Sequence, residues 1–195
     1  DWAGFQWIAA AAEQHDLVLQ LGYMFRYHDG FNLIASLARG GALGDVFGVR
    51  AHMSTSIPVR AWPSNNTREA ISAHVGGMLF DLGGHMLDQV LWVLRDERPT
   101  HISRFLRNDA TPEVPAFADN TLGVFEFSRA IATVDIAAME VAPPARRFEV
   151  YGTLGTAIME PFEPAHALHL NLARPWGDWA SGVQRVPLLG LGRQR

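Results

Sequence analysis

The run Val124–Ile136, VFEFSRAIATVDI, sets two apolar segments rich in β-branched and aromatic residues on either side of Ser128 and Arg129. Two such segments joined by so short a link predict a β-hairpin. The same character recurs in Thr100–Arg107, Asn120–Phe127, Ala130–Met139, Arg146–Tyr151, Thr156–Pro161 and Ala167–Ala173, each bounded by Gly, Pro, Ser or Asn. Consecutive strands with short links pair antiparallel. A second hairpin is expected in Glu149–Pro161, EVYGTLGTAIMEP, turning around Thr153 to Gly155. Residues 176–195 carry weak signals and are expected to fray.

Toward the N-terminus the period changes. Residues 2 to 15 fit a helix with Phe5, Ile8, Ala9 and Ala12 on one face, followed by a compact apolar run, Leu17–Phe25, that suits a buried strand. Helix then strand is how a unit of a parallel α/β sheet ends, and here it has no visible beginning. A second helix is expected over Gly30–Arg39, stopped by Arg39–Gly41. Residues 44–57 alternate with period two and read as extended. Pro58–His74 has no clean period and reads as a long loop. A third helix is expected over Leu79–Leu94. The fold class is therefore α+β: a large open, mainly antiparallel sheet with helices on one face. Phe125, Phe127, Val134 and Ile136 are expected on an uncovered sheet face, where an apolar patch would call for a partner subunit.

With 48% hydrophobic and 18% charged residues, the chain belongs with globular proteins. A net charge of -4 with scattered basic residues gives no general attraction to phosphate backbones or anionic lipid, so neither nucleic acid nor a membrane surface is expected as a partner. The absence of cysteine rules out disulfides and thiolate chemistry and fits a cytoplasmic setting. All 16 basic residues are arginines, so a mechanism that needs a lysine must find it elsewhere. No glycine-rich phosphate-binding loop is present, and the sequence reads as part of something longer.

The expected third helix carries the chemistry. Asp81 and His85 stand one turn apart and face one site, with Asp88 near the same side and Gly83 and Gly84 between them. Glycine in a helix interior costs about 0.8 to 1.0 kcal/mol relative to alanine, so these two imply close approach of a backbone or ligand. Three readings stay open. Asp81 can charge the first turn while His85 is a satisfied core side chain. The pair can chelate a metal with His74, although no second histidine pair or thiolate completes such a site. Or the carboxylate orients an imidazole, whose ordinary pKa of about 6.5 suits proton transfer near neutrality.

The stretch Gly76–Asp88, GGMLFDLGGHMLD, resembles the Gly-Gly-x-x-x-Asp-x-Gly-x-His-x-x-Asp signature of the glucose-fructose oxidoreductase and inositol dehydrogenase (Gfo/Idh/MocA) family. Leu19–Phe31 resembles that family's crossing from its dinucleotide-binding domain, Gly41–Ser54 the first strand of its second domain, and Phe148–Pro161 its late hairpin. The resemblance implies an N-terminal Rossmann domain that binds NAD or NADP, followed by a substrate domain that forms homodimers or homotetramers through its open sheet.

By that resemblance residues 1–27 are the remnant, last helix and strand, of a truncated dinucleotide-binding domain. Residues 28–175 are the substrate-binding and oligomerisation domain, and 176–195 a tail. Asp81 and His85 are carried over as the positioning and proton-transfer residues, with Tyr23 and Arg26 as substrate contacts; Trp62 is a candidate for stacking on a sugar ring. The expected activity is NAD(P)-dependent oxidation or reduction at the CH-OH group of a sugar, cyclitol or similar polyol. The family's glycine-rich fingerprint and its Glu-Lys-Pro lysine are both missing, so the isolated chain is expected to be inactive and to bind no cofactor or metal. Asp29 and Gly30 stand where proline is common in the family. The rival readings are a stand-alone polyol binder and a structural assembly domain without catalysis.

Overall fold

The computed structural model describes residues 2–55, 76–138, 141 and 143–188. In chain order the elements are α1 (Trp2–Gln14), a 3-10 turn (Met24–Tyr27), α2 (Asp29–Gly40), β1 (Val46–Ser54), α3 (Gly77–Asp81), α4 (Gly83–Val93), β2 (His101–Arg107), β3 (Asn120–Glu126), β4 (Ile131–Ala137), β5 (Arg146–Gly152), β6 (Gly155–Met159), β7 (Ala167–Leu172) and β8 (Gly182–Pro187). The strands form one sheet in the order β2-β3-β4-β1-β5-β6-β7-β8. Both expected hairpins form, β3–β4 and β5–β6. β1 and β4 pair parallel, because the chain builds α3, α4, β2 and β3 before it returns to β1.

Alternation along the strands decides which face is core. Register places Val49 between Ala132 and Val150, and Ala51 between Val134 and Phe148. All six are buried. Over them lie α2, α3 and α4, so the helices share one face of the sheet. Phe125, Phe127, Val134 and Ile136 belong to this covered core and not to an uncovered patch. The error was one of parity: in β4 Val134 and Ile136 take the phase of Ala132, opposite to Thr133 and Asp135, and in β3 Phe125 pairs with Ala132 on the same face. The uncovered face instead presents Arg50, Thr133, Arg147 and Tyr151, with Phe47, Phe105 and Ile131 exposed nearby. On edge strand β2, Arg104 and Arg107 discourage further strand pairing.

Three local expectations give way. No strand forms over Leu17–Phe25; residues 17–23 run unpaired into the 3-10 turn, since no neighbouring strand among the described residues offers a ladder. The helix expected over Leu79–Leu94 is divided at Leu82, where the His85 N–H donates to the Leu82 carbonyl at 3.1 Å, tightening the turn through the two weak helix formers Gly83 and Gly84. Residues 176–195 contain a six-residue strand, β8, whose pairing with β7 supplies the order that its own sequence lacks. No helix among the described residues is long and apolar enough to cross a membrane.

Where proline is common in the family, α2 starts from a side-chain cap. His28 Nδ1 accepts from the Gly30 N–H at 3.1 Å, and Asp29 adds charge in the first turn. Burial holds the His28 pKa below its ordinary 6.5, outweighing the raising effect of its bond to the Phe162 backbone. A histidine depressed in this way gives its full stability above pH 6.5 and loses it as pH falls toward the folded-state value, because the unfolded chain binds the proton first. The urea midpoint should therefore drop between about pH 8 and about pH 5.5, and His28→Asn, which keeps an acceptor and does not titrate, should remove part of that drop. An unchanged pH dependence in the variant would contradict this cap.

Candidate functional site

The division at Leu82 leaves Asp81 as the last residue of α3 and His85 in the first turn of α4. Both are half-buried. Burial raises the Asp81 carboxyl pKa, and the nearby His85 opposes that shift. A second ring system closes on the imidazole from the 3-10 turn. Tyr23 stands edge-on to His85 at 6.0 Å between ring centroids, and Phe25 at 5.9 Å.

One atom of this cluster is left without a partner by the described residues. His85 Nδ1 is buried and has no hydrogen-bond partner among the described residues. A buried polar atom without a partner costs about 1–3 kcal/mol, so it marks a place where a partner is expected.

The two glycines beside it differ. A Cβ at Gly83 would sit 3.0 Å from Leu79 Cδ1 and 3.5 Å from Ile136 Cγ1, so Gly83 lies in close packing against α3 and the sheet. A Cβ at Gly84 would meet nothing within 4 Å among the described residues. Among the described residues, then, no packing contact calls for a glycine at position 84.

Arg26 is drawn to a different partner. Its Nε and one terminal nitrogen donate to the two Asp88 carboxylate oxygens, both at 2.8 Å, while Gln89 donates to Asp88 Oδ2 at 2.9 Å. Beneath the guanidinium lies Trp92, 4.8 Å from Cζ to the ring centroid. The structure thus gathers Asp81, His85 and Tyr23, and sets Arg26 on Asp88 one helical turn away. Trp62 and His74 lie outside the described residues. Sequence reasoning noted Asp88 without a role and missed Phe25 and Trp92; the signal available was their spacing, since 85, 88 and 92 fall on one helical stripe.

On the uncovered face of the sheet, two adjoining hollows of about 550 and 310 Å³ share Arg50, Thr133, Arg147 and Glu149. Glu149 is buried there and paired with Arg147.

Residues 31–158 match the GFO/IDH/MocA C-terminal domain family. No curated protein sequence matches the chain. Among solved structures, an inositol dehydrogenase homolog from Azotobacter vinelandii, complexed with NADH and myo-inositol, superposes with a TM-score of 0.74 at 17% identity over 93% of this chain and 45% of its own. GenD2 from gentamicin A biosynthesis, in complex with NAD, gives 0.70 at 25% identity over 94% of this chain and 52% of its own. A levoglucosan dehydrogenase in complex with NADH and levoglucosan gives 0.71 at 16% identity, covering 91% and 53% respectively. The chain spans about half the length of these structures.

Proposed function

Because this chain belongs to the GFO/IDH/MocA C-terminal domain family, we propose that it is the substrate-binding part of an NAD(P)-dependent oxidoreductase acting on the CH-OH group of a sugar, cyclitol or similar polyol. The observation that carries this reading is the Asp81–His85 pair, with a buried Nδ1 that has no partner among the described residues, next to Gly84, where an added Cβ would meet none of them. Relatives solved with a nicotinamide cofactor and a polyhydroxylated ligand support the substrate class.

The dinucleotide does not fit this chain alone. It has no glycine-rich phosphate turn and no lysine. We assign the cofactor, NAD or NADP, to a preceding domain of which residues 1–27 are the end. That assignment accounts for an α1 with no buried residue and for Trp7 and Val18 at 74% and 94% exposure. Residues 28–175 are then the substrate and assembly domain. Titrating NADH into the isolated chain should give no tight complex, and a stoichiometric tight one would contradict the assignment.

When bound, the nicotinamide supplies the hydride chemistry. This chain supplies the proton and the orientation. His85 exchanges a proton with the reacting hydroxyl, Asp81 holds the substrate, and Tyr23 walls the imidazole from one side. Arg26 supports this wall from its pairing with Asp88. Trp62 is retained as a candidate stacking residue. A cytoplasmic setting agrees with the lack of cysteine. Homodimer or homotetramer formation through the uncovered sheet face is supported by the mixed charges of the two hollows and by exposed Phe47 and Ile131.

Position 84 can be tested separately. Gly84→Ala should stabilise the fold by roughly 0.5–1 kcal/mol through helix propensity. In the two-domain enzyme it should also raise KM about tenfold by occupying ligand space. A variant that gains stability and keeps its KM would show that the space is not used by substrate.

A further inference from the structure

Residues 17–23 have no ladder to hold them, and the backbone bonds around Tyr23 are local: Tyr23 N–H to Leu21, Met24 N–H to Gly22 and Arg26 N–H to Tyr23. Something other than backbone pairing must therefore set Tyr23 against α4. Phe25 is anchored independently, by Phe31 at 5.2 Å and Phe162 at 5.5 Å between ring centroids. Tyr23 has no comparable ring neighbour besides His85 among the described residues.

We propose that Arg26 and Asp88 form a positioning clamp that seats Tyr23 edge-on against His85 and so sets the orientation of the imidazole. The consequence for catalysis rests on the reading of His85 as the proton-transfer group; the geometry does not.

Four features make the pair a clamp and not a loose surface contact. The interaction is bidentate, which fixes direction as well as distance. The Asp88 side chain is only 10% exposed. Gln89 also donates to Asp88 Oδ2 at 2.9 Å, which ties the carboxylate to a second side chain. The Trp92 ring, with its centroid 4.8 Å from the guanidinium carbon, backs the guanidinium and restricts its swing. The link spans 62 residues of sequence and joins the 3-10 turn to the helical stripe that carries His85. With its fork committed to Asp88, Arg26 acts through Tyr23 and not by direct contact with the substrate.

The test reads the imidazole directly, by NMR of the His85 Hε1 and Hδ2 resonances in the chain. Tyr23→Leu calibrates the ring-current contribution of the tyrosine. Arg26→Lys keeps the charge and loses the fork, and Asp88→Asn keeps the shape and loses the charge. Each is expected to reproduce at least half of the Tyr23→Leu displacement while the sheet methyl resonances stay in place. The double variant should displace His85 no further than either single one, because the two groups act as a unit. Unmoved His85 resonances in the folded single variants overturn the clamp, as does a loss of thermal stability alone or a strictly additive double variant. Should Arg26→Lys fail to fold, Trp92→Leu removes only the surface behind the guanidinium. A smaller displacement in the same sense supports the clamp, and none overturns it. Unmoved resonances would sink the clamp even where His85 is shown to be catalytic, and moved ones would stand even where turnover proves independent of His85.

Discussion

Substituting His85 by glutamine in the two-domain enzyme should lower turnover by about 10²-fold or more, the usual contribution of a positioned proton-transfer group. The structural cost should be small by comparison. His85 is half-buried, its Nδ1 has no partner among the described residues, and its contacts with Tyr23 and Phe25 are edge-on ring contacts. Such aromatic pairs are worth roughly 0.5–1.5 kcal/mol each, so the variant should remain folded at room temperature. Glutamine keeps hydrogen-bonding capacity and removes only the titrating ring, which separates proton transfer from simple occupancy. Steady-state kinetics on a polyol substrate, with near-ultraviolet circular dichroism as the control for folding, make the measurement. Retained turnover would return His85 to the role of a core imidazole.

The largest effect on stability is expected at Gly77→Ala. Gly77 opens α3 with φ at +49, a conformation that disfavours any residue with a Cβ. The space is closed as well: an added Cβ would lie 2.2 Å from the Ala118 carbonyl oxygen and 2.7 Å from the Ala118 Cβ. That carbonyl cannot readily withdraw, because it accepts the Met78 N–H at 2.9 Å. Next to it, Asp119 is fixed by the backbone N–H groups of Asp109, Ala110 and Thr111 and by the Thr111 hydroxyl. Left-handed strain of about 1–2 kcal/mol and overpacking of about 1–3 kcal/mol together predict a loss near 3 kcal/mol. For a chain of this size that lowers Tm by roughly 6–12 °C. Urea unfolding of the two proteins gives the difference, and a loss below about 1 kcal/mol would show that the loop before Asp119 yields.

The sequence was most legible where neighbours in the chain are neighbours in space. The turns at Ser128–Arg129 and at Thr153–Gly155 lie inside their own hairpins, and the Arg39–Gly41 stop lies on its own helix, with Gly41 at φ 90. The closeness of Asp81 and His85 in the sequence was legible too, while the break at Leu82 that puts them on separate helices was not. Features set by distant partners were not. The parallel pairing of β1 with β4 depends on a return after α3, α4, β2 and β3. β8 is ordered by β7 and hardly by its own residues. Nothing local to Arg26 discloses that Asp88, its bidentate partner, stands 62 residues on. The face assignment of Phe125 and Ile136 failed because alternation states that two faces exist without stating which one the helices cover.

The most direct measurement is a crystal structure of the two-domain enzyme with a nicotinamide cofactor and a polyol bound. The account predicts a substrate hydroxyl about 2.6–3.2 Å from a ring nitrogen of His85, with the ligand over Gly84 and within reach of Asp81. A polyol seated elsewhere, with His85 still enclosed by Tyr23 and Phe25 and touching no ligand atom, would contradict it.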